Sequence, residues 1–86
     1  MSKEILLEMR TIKKEEFIEW FRQMGGKEEE PDVYKGPFWN AHIDEPKNIK
    51  LGAMNFISIR IKIVVEDDKY DDFMSKFRLR FLRAGG

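Results

Sequence analysis

The sequence predicts an α+β domain of two layers, with two helices packed on one face of a mainly antiparallel sheet. Three observations lead there. Along residues 55–65 apolar β-branched residues fall at every second position, Ile57, Ile59, Ile61, Ile63 and Val65, and Phe56, Ser58, Arg60, Lys62 and Val64 alternate with them. Successive strand side chains point to opposite faces, so this period gives one apolar face that needs cover and one mostly wet face. Residues 17–24 and 70–81 carry apolar side chains at helical spacing and supply the cover. The strands between them follow one another too closely for crossover helices, so they run mainly antiparallel.

Each element has its own local reason. Residues 5–10 form a first strand with Ile5, Leu7 and Met9 on one side, although an apolar run this short also fits the start of a helix. Thr11 is placed to cap the helix that follows, and Glu15 and Glu16 sit near its positive end. Phe17, Ile18, Trp20, Phe21 and Met24 make its apolar stripe, and Gly25-Gly26 stops it, because glycine accepts the left-handed conformation of a helix C-cap. Residues 27–31 read as a polar loop. Val33-Tyr34 begins a second strand, Gly36-Pro37 turns it, and residues 38–44 form a third with Trp39, Ala41 and Ile43 inward. Residues 49–51 are extended. Gly52 to Asn55 is either a hairpin turn or a glycine bulge within one bent strand. Asp67-Asp68 opens the last helix, whose stripe is Tyr70, Phe73, Met74, Phe77 and Phe81. Its acidic start and basic end match the helix dipole, and Asp72 and Lys76 form a favourable pair one turn apart. The predicted order is strand, helix, three or four strands, helix.

Composition narrows the classes of function. A chain of 86 residues makes one domain with one core and little spare cavity. It has no cysteine, which rules out disulfides, thiolate metal sites and thiol nucleophiles. Met1-Ser2-Lys3-Glu4 lacks the apolar run of a signal peptide and no stretch is long enough to span a bilayer, so a cytoplasmic location is expected. Charged residues are 37% of the chain, against about 25% in ordinary domains, and are rich in Lys and Glu, a composition that leans towards a thermophile. Net charge is zero, so bulk electrostatics favours neither nucleic acid nor membrane, and binding of that kind would need a local patch.

Several short features together resemble the C-terminal domain of the MoaD-related proteins, relatives of the small sulfur-carrier subunit of molybdopterin synthase. They are the aromatic helix ending Phe21-Arg22-Gln23-Met24-Gly25-Gly26, the tyrosine of Val33-Tyr34 after a polar loop, Asp44-Glu45-Pro46, Lys50-Leu51-Gly52 ahead of the alternating strand, and an aromatic helix with an acidic start before Gly85-Gly86. The likeness covers nearly the whole chain. It implies a β-α-β(4)-α fold like the TATA-binding protein (a helix-grip fold) and no catalytic residues. The β-grasp sulfur-carrier domain that precedes this domain in such proteins is not in the sequence, so the resemblance carries over no sulfur-carrier function.

The wet sheet face is the first candidate site. Arg60, Lys62, Phe56 and Ser58 gather there, with Phe38, Asn40 and His42 expected from the neighbouring strand. Basic and aromatic side chains interleaved on a sheet can stack bases and hold phosphates. Glu8 and Asp44 dilute the charge, and an ordinary solvated face is the stronger reading. Leu6, Phe38, Phe56 and Val64 are apolar for such a face, which favours a contact patch for a second copy or a protein partner. Lys69, Lys76, Arg80 and Arg83 line one side of the last helix and read as a solvated flank. His42 and Asp44 share a strand face, but one histidine without a nucleophile or metal partner makes neither a catalytic site nor a zinc site. Gly85-Gly86 resembles the tails of ubiquitin-like and sulfur-carrier proteins, although here it follows a helix and a plain C-cap is favoured. Trp20, Trp39 and the phenylalanines are read as core rather than as the lining of a ligand cavity.

The expectation is a non-enzymatic interaction domain without cofactor or metal. It would dock to itself or to a partner in a sulfur-transfer or molybdenum/tungsten-cofactor pathway, the pathway resting on the resemblance. The interaction residues would be Phe38, Phe56, Arg60 and Lys62. Nucleic-acid binding through the sheet face and carrier-like use of Gly85-Gly86 are the alternatives.

Overall fold

The computed structural model describes residues 1–10 and 12–81. In chain order they form β1 (Ser2–Arg10), α1 (Lys14–Gln23), β2 (Lys27–Glu30), β3 (Val33–Lys35), β4 (Trp39–Ile43), β5 (Lys47–Leu51), β6 (Met54–Glu66) and α2 (Asp67–Phe81). The protein is therefore α+β, with a six-stranded sheet in the order β1-β6-β4-β3-β2 and β5 paired to β6 off this path. All five strand pairings are antiparallel.

Register explains why one face is dry. Ile5, Leu7 and Met9 lie opposite Ile63, Ile61 and Ile59, while Ala41 and Ile43 lie opposite Ile63 and Ile61 on the other side of β6. Odd-numbered residues of three adjacent strands thus share one face, and Met9, Trp39, Ala41, Ile43, Ile59, Ile61, Ile63 and Val65 are buried there. Both helices pack over this face. Phe17, Trp20 and Phe21 of α1 and Phe73, Met74 and Phe77 of α2 join the same core. Trp20 stands edge-on to Phe73 and Phe77, with ring centroids 5.2 and 5.4 Å away, and Phe21 lies 5.2 Å from Trp39. These separations fall in the range where aromatic pairs attract beyond the area they bury.

The helix ends follow the charge pattern. Glu15 and Glu16 occupy the first turn of α1 and Asp67 and Asp68 that of α2, where the dipole is positive. Thr11, expected as the cap of α1, lies outside the described residues, and the N-cap position is held by Lys13. At the other end Gly25, at φ 88°, and Gly26 donate backbone hydrogen bonds to Arg22 and Phe21 and close the helix.

The sheet has one strand that the sequence does not predict. Residues 27–30, expected as a polar loop, form β2 and pair with β3. All four side chains are exposed, so no apolar alternation marks this strand, and backbone pairing alone defines it. The turn after it puts Asp32 at φ 64°, and Lys14 of α1 holds the Asp32 carboxylate at 2.6 Å. The open question at Gly52 is settled as a turn. Leu51 faces Met54 across a two-residue connection with Gly52 at φ 59°, which a type II′ hairpin requires at its first central position.

β4 and β5 both run against β6 on the edge opposite β1. Ile43 faces Ile61 but Lys47 faces Ser58, so residues 44–46 absorb one extra residue. That offset moves the odd-numbered residues of β5 to the outer face of the sheet.

Ile57 differs from its expected place. It shares the inner face with Ile59 to Val65 but is 43% exposed. The reason is length. The 13 residues of β6 span about 43 Å at strand rise, whereas the 15 residues of α2 span about 22 Å. α2 starts at the C-terminal end of β6 and folds back, so its cover ends before Ile57. The β5–β6 hairpin projects past the helices, with Leu51, Met54 and Ile57 exposed.

Candidate functional site

Because both helices lie on the inner face, the outer face of the sheet has no described element over it. Strand alternation places Glu4, Leu6, Glu8 and Arg10 of β1, Phe56, Ser58, Arg60, Lys62 and Val64 of β6, and Asn40 and His42 of β4 on this side. Cross-strand rows follow from the register. Leu6, Lys62 and His42 form one, Glu4, Val64 and Asn40 another, and Glu8 lies opposite Arg60. Around the middle of the sheet is a shallow depression of about 360 Å³ lined by Leu6, Glu8, His42, Asp44, Arg60 and Lys62, among others.

Several polar and charged side chains on this face stand in pairs. Lys62 Nζ lies 3.4 Å from Glu4 Oε1, and His42 Nδ1 lies 3.5 Å from Asp44 Oδ1. Ser58 is buried, and its hydroxyl donates to Glu8 Oε2 at 3.0 Å. The other oxygen of Glu8 is 3.7 Å from Arg10, whose guanidinium also sits 4.9 Å above the Phe56 ring. Cation–π contact of this kind holds the arginine flat against the sheet. Positive and negative groups alternate, so the face presents no continuous basic track for a polyanion. Apolar surface lies between them. Leu6 is 71% exposed, and Phe56 and Val64 are half-buried.

Of the residues singled out from sequence, Phe56, Arg60 and Lys62 come together on this face. Phe38 does not join them. It precedes β4, outside the strand alternation, and packs against Phe73 of α2 with ring centroids 6.2 Å apart, beneath Lys69. Gly85 and Gly86 lie outside the described residues, as does Arg83. The other three residues of the basic stripe read on α2, Lys69, Lys76 and Arg80, have local partners. Lys76 binds Asp72 at 3.1 Å, Arg80 binds Glu16 of α1 at 3.3 Å, and Lys69 lies 6.0 Å over Phe38. Trp20 and Trp39 are buried in the core, with the Trp39 indole donating to Met24 O at 3.4 Å. Among the described residues no group of three or more His, Asp or Glu side chains is arranged to hold a metal ion, and no helix is long and apolar enough to cross a membrane.

Sequence reasoning placed Leu6 and Glu8 of β1 on this face but did not name Glu4 and Arg10. Glu4, Glu8 and Arg10 alternate with Ile5, Leu7 and Met9, so the strand pattern marked them. Their partners on β6 could be assigned only once the register was known.

The fold and its open face define a class: a small α+β protein with one sheet face sealed by helices and the other presented to solvent. The chain belongs to the archaeal MoaD-like protein family, whose model matches residues 5–86. A search of curated proteins gave no match.

Proposed function

We propose that this protein is a non-enzymatic accessory protein that docks through its open sheet face onto a protein partner in a sulfur-transfer or molybdenum/tungsten-cofactor pathway. The observation that carries the reading is the uncovered outer face, where exposed Leu6 and half-buried Phe56 and Val64 lie among paired polar and charged side chains. Apolar anchors within a charged rim are what protein recognition uses. Membership of the archaeal MoaD-like family supports a role in protein interaction and suggests the pathway. The reading includes no catalytic step: His42 and Asp44 pair with each other, half-exposed, at the edge of the depression. The alternating signs on the face, with Lys62 held by Glu4, weigh against nucleic acid.

The test is affinity capture from the native organism, followed by mass spectrometry, with the native chain and an Arg60→Glu/Lys62→Glu variant. The native chain should retain a protein of sulfur-transfer or cofactor synthesis that the variant loses while its far-UV circular dichroism stays unchanged. Equal retention by both, or retention of neither, overturns the reading. Tight binding of a single-stranded oligonucleotide with a steep salt dependence would replace it with the nucleic-acid alternative.

A further inference from the structure

We infer that β1 is a self-complementary edge through which two copies of this chain pair into one continuous sheet. The inference concerns the edge of the sheet, which shares Glu4, Leu6, Glu8 and Arg10 with the margin of the open face, and it does not depend on the partner proposed above. β1 ends the sheet and pairs among the described residues with β6 alone, so the backbone groups on its other side are unpaired by any strand. Such an edge templates further strand pairing unless it is short, kinked or heavily charged. The opposite edge has all three protections: β2 has four residues, all charged, and its register shifts between Glu28 and Glu30. β5 has five residues and carries Lys47 and Lys50. β1 has nine residues, contains no proline and holds one register with β6 from Ser2 to Arg10, and its four charges, Lys3, Glu4, Glu8 and Arg10, are of both signs and can pair across the edge rather than repel. Its apolar residues are also incompletely covered. Ile5 and Leu7 are half-buried on the inner face and Leu6 is 71% exposed on the outer face, where a neighbouring strand would cover them.

A second copy is the occupant because β1 is complementary to itself in one register. Two-fold pairing about an axis normal to the sheet keeps inner residues with inner and outer with outer, so it centres on a residue. Centred on Leu6, it pairs Leu6 with itself and Ile5 with Leu7 but sets Glu4 against Glu8, like charge on like, and Lys3 against Met9. Centred on Ile5, it sets Lys3 against Leu7. Centred on Leu7, it pairs Leu7 with Leu7 and Ile5 with Met9 on the inner face, and Glu4 with Arg10 and Leu6 with Glu8 on the outer face, each pairing but the first occurring twice by symmetry. This register keeps Lys3 out of the apolar row and brings opposite charges together. It also extends the existing pattern of alternating sign, Lys62–Glu4 in one copy continuing into Arg10–Glu8 of the other.

The absence of native cysteine allows a direct test of the register. Single Leu7→Cys and Leu6→Cys variants are oxidised at high protein concentration, alongside sedimentation equilibrium of the native chain. Directly opposed strand residues lie at the separation a disulfide needs. The native chain should sediment as a reversible mixture of the 10.3 kDa monomer and its dimer. Leu7→Cys should cross-link faster than Leu6→Cys, since Leu6 faces Glu8 rather than itself in this register and lies only diagonal to its own copy. Glu4→Arg and Arg10→Glu should each weaken the dimer, and the double swap should restore it. A native chain that stays monomeric at every concentration, faster cross-linking at position 6, or a double swap no better than the single variants would each overturn the proposal. Loss of partner capture by the Arg60→Glu/Lys62→Glu variant leaves these outcomes unchanged, so the two proposals fail separately.

Discussion

Replacing Ile61 and Ile57 by alanine, one at a time, separates what α2 covers from what it leaves bare. Both side chains belong to the inner face of β6, and a strand pattern treats them alike. Ile61 is 1% exposed and Ile57 is 43% exposed. Each substitution removes three carbon atoms, worth about 0.8 kcal/mol each when fully buried, or about 2.4 kcal/mol. Beneath the helices, Ile61 also leaves a cavity that raises the loss to about 3.5 kcal/mol, within the usual range of about 2–5 kcal/mol for such truncations. For Ile57 the transfer loss falls to about 1.4 kcal/mol, and a half-open site leaves no closed cavity. The gap of about 2 kcal/mol corresponds to about 8–16 °C in midpoint temperature for a domain of this size. Urea titration followed by tryptophan fluorescence measures it, because Trp20 and Trp39 are both buried and report on core exposure. Equal losses within about 0.5 kcal/mol would refute the argument that the length of α2 sets the limit of the core.

Three further outcomes are expected. Ser58→Ala removes the hydroxyl that donates to Glu8 from a buried position and should lower the urea-derived stability by about 1 kcal/mol, with no further loss in a Ser58→Ala/Glu8→Ala double variant beyond that of Glu8→Ala alone. Burial pushes the Tyr34 phenol above its ordinary value of 10.0, and the Glu28 carboxylate beside it adds to the rise. The folded state then holds a proton that the unfolded state has released, so this stability is complete below about pH 10 and is lost as pH climbs through the folded pKa. Urea midpoints compared between about pH 8 and about pH 11 should show a steeper alkaline fall for the native chain than for Tyr34→Phe. Gly52→Val places a β-branched residue at φ 59° in the hairpin turn and should destabilise the projecting arm, read as faster amide exchange in residues 47–57 with the exchange of residues 59–65 retained.

The alternation of residues 57–65 and the helical stripes of Phe17 to Met24 and Tyr70 to Phe81 were legible because they express local geometry, a period of two or 3.6 that any covering layer must respect. The acidic starts of both helices and the basic end of α2 were legible for the same reason, since each dipole acts within a single turn. β2 was not. Lys27 to Glu30 carry no apolar signal, and their strand state depends on β3 offering a backbone ladder. Of the candidate site, Phe56, Arg60 and Lys62 were placed correctly by alternation, whereas Phe38 was drawn into a strand it only precedes and packs against Phe73 instead.

By itself the sequence determined that this protein has one dry sheet face, two amphipathic helices to seal it and one wet face left over. Tertiary structure decided how far the seal extends, which charges meet across β1 and β6, and which edge of the sheet stays open. The physical reason is that side-chain periodicity is a property of one segment, whereas cover, register and edge exposure compare the lengths and positions of two. A 15-residue helix laid back along a 13-residue strand leaves the hairpin bare, and neither segment alone carries that mismatch.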